Sequence, residues 1–370
     1  MKTLDRSCFY NPRTLIVGFL CLLLVSAANG QTKYTVTDLG LPNPSVAVSI
    51  NNSGQVVGWY LDDNEVYHAF LYRNGQVSDL GNLGPANDPA NFGASASGIN
   101  NRGQVVGGSY SSNATPNPLT GNPSPEHAFL YSRGQMQDPG IGGDSNHATG
   151  INNRGQVIGS FFIYDNLPSF EQHAFLCSEG QVIDLGNLGG INSGAVSIND
   201  RGQVVGWSDV SKNPFNAPYH AFLYSGGQMI DLGTLGTYAG GLSVAEGINN
   251  SGQIVGWSSS NDINLPYHAF LYSRGQMIDL GNLGGNYSVA NSINDSGQIV
   301  GGSYLNGSTG DYHAFLYSNG QMQDLNNLLE PSSGWIVDMA TSINSAGQIT
   351  GYGTLNGVGT HALLLTPVLK

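Results

Sequence analysis

The phrase SINNSGQVVGW begins at Ser49 and returns in close variants six more times before the chain ends. A repeat this strong constrains the fold more than any single motif. Each copy must build the same unit and bury its apolar surface against the next. A second landmark sets the period. The tripeptide HAF starts at His68, His127, His173, His220, His268 and His313, and HAL at His361 is its seventh copy. Successive copies lie 59, 46, 47, 48, 45 and 48 residues apart.

Between copies lie GQxxDLG, AxSIN or AxGIN, and GQVVG. Each is a short run rich in Val, Ile, Tyr and Phe, bounded by Gly, Asn, Asp or Ser, which is the pattern of a strand. Each unit therefore carries four strands. Two connections, INNSGQ and FLYSRGQ, are tight and place a glycine just before the returning strand, as a hairpin with a glycine bulge requires. The other two connections vary in length. Seven such units predict an all-β fold, a seven-bladed β-propeller of four-stranded antiparallel blades.

The chain ends test this reading. YTVTDLG, from Tyr34 to Gly40, copies the outer strand of a unit but has no unit before it. HALLLTP, from His361 to Pro367, has no outer strand after it. Residues 34–39 are thus expected to pair with 361–367, closing the ring and removing two open sheet edges. The innermost strand is AxSIN, whose invariant Ala suits the crowded axis.

Units reading DLGxLGG, AxSINxxGQVVGxS and HAFLY resemble the bacterial HAF-repeat family of extracellular repeat proteins. The resemblance covers Tyr34 to Pro367. It departs at DLNNLL from Asp324, at HAL from His361, and at Pro139, which stands where other units have Leu. It implies export and a repeat fold, and it implies no activity.

Residues 1–30 read as a signal peptide. Lys2, Arg6 and Arg13 precede the apolar run TLIVGFLCLLLVSAA, and SAANGQ supplies small residues for cleavage after Ala28 or Gly30. The run is shorter than the ~20 residues a spanning helix needs; a retained anchor is the alternative. The expected mature chain, 31–370, is one monomeric propeller domain exported to the extracellular space, periplasm or cell envelope. Cys8 and Cys21 leave with the leader, so Cys177 has no disulfide partner and fills an apolar slot. Processing leaves nine Lys and Arg against 24 Asp and Glu, a net charge of −15. Such a chain repels nucleic acid and anionic lipid.

The repeat also governs the search for chemistry. Each unit holds one Asp in step with its His: Asp38, Asp79, Asp138, Asp184, Asp231, Asp279 and Asp324. A catalytic group is needed once, so seven His and seven Asp read as structural residues that satisfy backbone groups or each other. The Asn-rich turns lack the alternating carboxylates of a calcium loop, and they read as turns. No metal ligand set or cofactor is assigned; calcium bridging a ligand is the one such role left open.

What breaks the symmetry points to function. Six Arg residues (Arg73, Arg102, Arg133, Arg154, Arg201 and Arg274) lie in tight turns. The variable loops hold Asp62, Asp63, Glu65, Asp88, Glu126, Asp144, Asp165, Glu171, Asp209, Asp262, Asp311, Glu330 and Asp338, against Lys212 alone. The loop face should therefore be negative. It is also aromatic. Trp59, Trp207, Trp257 and Tyr352 follow QVVG or its counterpart, and Tyr60, Tyr110, Phe161, Phe162, Tyr164, Phe170, Phe215, Tyr219, Tyr267, Tyr304 and Tyr312 add to them. Glu246 is a lone carboxylate in an inner-strand slot held elsewhere by Val48, Ser97, Thr149, Val196, Asn291 and Thr341. Trp59, Tyr60, Trp207, Trp257, Glu246 and Tyr352 are the candidate binding residues. They suit a non-enzymatic protein that binds a partner or neutral glycan. Two alternatives stand beside it. A propeller glycoside hydrolase would need a second carboxylate, such as Asp144, Glu330 or Asp338, facing Glu246. A purely structural envelope protein would need no ligand.

Overall fold

The computed structural model describes residues 32–84, 93–110, 126–143, 145–163, 171–213, 218–237, 240–260, 267–306 and 312–368. The signal-peptide reading lies outside the described residues, as do Asp88, Asp144, Asp165, Asp262, Asp311, Tyr164, Phe170 and Phe215. In blade 1 the strands are Ser45–Ile50, Val56–Leu61, Tyr67–Arg73 and Gln76–Asp79. Blades 2 to 6 repeat this order, each a separate four-stranded antiparallel sheet. The seventh sheet draws on both ends of the chain: Trp335–Ile343, Ile349–Leu355, Val358–Pro367 and, outermost, Tyr34–Asp38. Its register runs from Tyr34 opposite Pro367 to Asp38 opposite Leu363, and the Leu39 N–H donates to the Ala362 carbonyl at 3.1 Å. The fold is a closed seven-bladed β-propeller.

Burial on both faces of a blade explains why two apolar residues, Ala69 and Phe70 in blade 1, follow one another in HAF. Where blades 1 and 2 meet, Val57, Ala69 and Leu80 pack against Ala94, Ala96, Ile99, Val105 and Phe129. The ring closes on the same chemistry, with Leu39, Ala362 and Leu364 against Ala47, Ile50, Val56 and Phe70. Truncating one such buried Phe costs about 3–5 kcal/mol.

The glycine of each GQVVG has a steric cause. A Cβ on Gly58 would collide with the Val46 carbonyl oxygen of the inner strand. That close approach accompanies a β-bulge between Ala47 and Ser49, repeated in the other blades. The bulged residues, among them Val48, Ser97, Thr149 and Glu246, line a central channel.

Blade 2 shows what Pro139 changes. In blades 1, 3, 4 and 5 the leucine after the Asp donates its N–H to the alanine of HAF, as Leu80 does to Ala69 at 2.9 Å. Proline has no N–H to give. The outer strand there is only Gln135–Gln137, and Ile141 supplies the buried side chain instead.

Candidate functional site

The repeat His and Asp meet in every blade. Nδ1 of His68 lies 2.7 Å from Asp79 Oδ2, and His127–Asp138, His173–Asp184, His220–Asp231, His268–Asp279 and His313–Asp324 repeat the contact at 2.7–3.0 Å. The seventh pair, His361 with Asp38 at 3.2 Å, joins the two ends of the chain. The other carboxylate oxygen accepts the N–H two residues on, as Asp79 does from Gly81. Burial pushes the Asp231 and Asp279 carboxyls up, but the hydrogen bonds from His and Gly outweigh it and hold both below their ordinary value. The hydrogen bond to Asp279 raises His268 in turn. These groups spend their bonding capacity inside the sheet.

A second ring, formed by the Asn of each SIN or GIN, was not legible as an assembly. Asn51 Nδ2 donates to the Asn100 carbonyl of the next blade at 3.0 Å. The same bond runs from Asn100 to Asn152, then to Asn199, Asn249, Asn294 and Asn344, and Asn344 returns to Asn51 at 3.1 Å. Each Asn is buried. The ring lines the channel at the tight-turn end.

At the opposite end the aromatic residues join up over three blades. Trp207 meets Tyr219 at 5.8 Å between ring centroids, Tyr219 meets Trp257 at 6.1 Å, and Trp257 meets Tyr267 at 4.6 Å. The contacts continue through Tyr287 at 5.7 Å to Tyr312, also 5.7 Å away, with Tyr304 against both. Nearly all are edge-on, the favoured arrangement. All seven rings are partly exposed. Tyr352 lies just beyond this arc, beside Tyr312 in a cavity of about 810 Å³ that Asp338, His313, Met339 and Thr354 also line. Trp59 and Tyr60 do not join it. Trp59 packs on Tyr67 at 5.3 Å, and Tyr60 stacks on His68 at 4.9 Å. Tyr287 was not singled out in the sequence, because it sits in a loop-like stretch that the structure extends into the inner strand Gly284–Ile293.

The loop acids divide once seen in place. Asp62, Asp63, Glu65 and Glu330 are exposed or half-exposed, whereas Asp209 is buried and accepts from the Asn192 N–H and side-chain amide at 3.0 and 2.9 Å. Burial raises the Asp338 carboxyl. Glu246 stands on the channel wall beneath the arc and accepts from Trp257 Nε1 at 3.1 Å. Among the described residues no group of three or more His, Cys, Asp or Glu is placed to hold a metal ion, and no helix is long and apolar enough to cross a membrane.

Burial raises the Glu246 carboxyl above its ordinary 4.5, and the indole N–H opposes this more weakly. A carboxyl with a raised folded pKa costs stability as pH climbs from the unfolded value through the folded one. Below that window both states are protonated and the cost vanishes. Glu246→Gln keeps an acceptor for Trp257, so it is expected to raise the melting temperature at neutral pH and leave it unchanged near pH 4. Calorimetry at the two pH values checks this, and an unchanged or lower melting temperature at neutral pH would contradict it.

No family model matches this chain, and no curated protein matches its sequence. Its structure is similar to solved propellers. The β-propeller domain of the Trilobed protease from Pyrococcus furiosus aligns with a TM-score of 0.52, over 88% of this chain and 94% of that one, at 7% identity. The acylaminoacyl peptidase from Pyrococcus horikoshii aligns with a TM-score of 0.53 at 8% identity, over 92% of this chain but 52% of that one. This chain therefore spans about half the length of that peptidase. At such identities the likeness is one of fold. The Trilobed protease domain has an open velcro topology; here the strand Tyr34–Asp38 closes the last sheet.

Proposed function

We propose that this chain is an exported binding propeller of the HAF-repeat type that takes a neutral glycan on its loop-side aromatic arc. The observation that carries the reading is the run of seven partly exposed rings from Trp207 to Tyr312, continuous across three blades. Buried core aromatics need no exposed counterparts, and flat amphipathic faces in series suit a chain of sugar rings. A carboxylate left unfavourably on the channel wall beside Trp257 adds a hydrogen-bond acceptor, and costly polar placements of this kind mark binding sites. The acidic balance of the chain disfavours polyanions. Glu246 lines the channel and Asp338 lines the separate cavity beside Tyr352, so neither described cavity presents the two facing carboxylates of a glycosidase. Export rests on the charged and apolar N-terminal segment; N-terminal sequencing of protein recovered outside the cytoplasm tests it.

The binding test is a titration of intrinsic tryptophan fluorescence with neutral glucan and mannan oligosaccharides, with polygalacturonate as the anionic comparison. Trp257→Ser is the informative variant, because Ser160 already fills that position in blade 3. Loss of its stacking face is expected to weaken neutral-glycan binding about tenfold, or about 1.4 kcal/mol. Equal affinity of parent and variant, or preferential binding of polygalacturonate, would remove the arc as the site.

A further inference from the structure

The eighth histidine stands outside the repeat. His147 lies on the inner strand of blade 3, at a position that Val46, Ser95, Gly194, Val244, Val289 and Met339 hold in the others. Its ring bridges two residues of blade 2. Nδ1 lies 3.0 Å from Glu126 Oε1, and Nε2 lies 3.0 Å from Ser97 Oγ. An ionised carboxylate only accepts, so the Nδ1 proton points at Glu126 and the Nε2 lone pair receives the Ser97 hydroxyl. Acid, imidazole and alcohol are thus connected in the order that turns an alcohol into a nucleophile.

Departures from the repeat build this arrangement, and they coincide in blade 2. The residue before the repeat His is Tyr67, Tyr219, Tyr267 or Tyr312 in four blades; in blade 2 it is Glu126. The residue after GQVVG is Trp59, Trp207, Trp257 or Tyr352 in four blades; in blade 2 it is Gly108. A Cβ on Gly108 would collide with both the Glu126 carboxylate and His147 Nδ1. Blades 2 and 3 both lack these two aromatics, and blade 2 alone pairs the acid Glu126 with a glycine, Gly108, that leaves space for it. Ser97 occupies the bulged slot in which Thr149, Asn291 and Thr341 donate to the alanine carbonyl of the next blade, at 2.9, 2.8 and 2.6 Å. It meets the imidazole of His147 and lines the channel, a cavity of about 440 Å³ shared with Val48, Thr149 and Val196. The side chains of His147 and Glu126 are 27% and 31% exposed, so neither is sealed in the core.

We propose that Ser97, His147 and Glu126 form an acyl-transfer site open to the channel, acting on a small uncharged carboxylic ester. Ser97 is the nucleophile, His147 the general base and Glu126 a positioning residue. Ser97 Oγ attacks the ester carbonyl carbon while its proton passes to His147 Nε2. The bond from carbon to the alkoxy oxygen breaks, and the leaving alcohol takes that proton. A water molecule then attacks the acyl-serine, His147 accepts its proton and returns it to Ser97, and the acid departs. One ester and one water give one acid and one alcohol. A channel of about 440 Å³ has room for a small ester, and Glu246 on the same wall disfavours an anionic one.

The test uses the full chain with a fluorophosphonate probe, read by peptide mass, and with p-nitrophenyl acetate and butyrate turnover. Ser97→Val and His147→Val place the residues that blade 1 carries at Val48 and Val46, so the fold should tolerate both. The probe is expected on Ser97 of the parent, and on neither variant. Ester turnover should fall roughly 10²–10⁴-fold in His147→Val. Glu126→Gln should lower kcat with KM unchanged, and Glu126→Asp should recover part of it; a merely structural role would move the melting temperature and leave that split absent. A parent that takes no label and turns over no ester, or a label mapped to another residue, would overturn the proposal.

Discussion

Removing Tyr34–Leu39 is expected to lower the melting temperature of the protein and to make it associate. The segment is the outermost strand of the last blade, paired over five residues with Leu363–Pro367. Its loss exposes the N–H and C=O groups of a long strand, Val358–Pro367, as an open edge, the usual template for pairing with another chain. It also strips two interblade clusters of Tyr34, 2% exposed, and Leu39, 4% exposed. Each such side chain contributes about 1.5–3 kcal/mol by burial alone. Burial also pushes the Tyr34 phenol up to about 12. Size-exclusion chromatography and thermal melts of the deletion variant measure the effect. A peptide spanning residues 32–41, added in excess, should restore the melting temperature by mass action. A deletion variant as soluble and heat-stable as the parent would mean that the ring does not need its closing strand.

The second large effect is expected at the asparagine ring. Asn199 accepts from the N–H groups of Arg201 and Gln203, each at 3.0 Å, and donates to Gln203 Oε1 at 2.8 Å and the Asn249 carbonyl at 3.1 Å. Asn199→Ala leaves buried donors and a buried carbonyl unpaired, each worth about 1–3 kcal/mol. Solvent entering the emptied turn recovers part of that, and a net loss of about 3–4 kcal/mol is expected. Asn199→Asp separates the two roles. It keeps an acceptor for the turn and loses both donations of the amide, to Gln203 Oε1 and to the Asn249 carbonyl of blade 5, so its expected cost is about 1–3 kcal/mol. Denaturant unfolding of both variants checks the order. If Asn199→Ala falls within 0.5 kcal/mol of the parent, the ring is not what ties the blades.

The sequence by itself determined the architecture. Strand identity, blade count and ring closure follow from a period and from two unpaired ends, because every copy of a repeat must solve the same packing problem. In six blades the His and its Asp lie eleven residues apart across one hairpin, so regular spacing makes them diagonal neighbours, with Asp79 itself opposite Phe70. The glycine of GQVVG was visible as a fixed letter, although its cause, the Val46 carbonyl that crowds Gly58, was not. Only the tertiary structure decided what joins across blades. Asn51 and Asn100 are 49 residues apart, and nothing local shows that one donates to the other. Trp207 and Trp257 were readable as aromatic positions, but a period cannot show that Tyr219, Tyr267 and Tyr287 link them into an arc while Trp59 and Tyr352 stand outside it. Ser97, Glu126 and His147 come from different strands and read singly as exceptions to the repeat. Contact between neighbouring blades depends on blade rotation and on which side of a bulge a residue falls, and both are set by the closed ring.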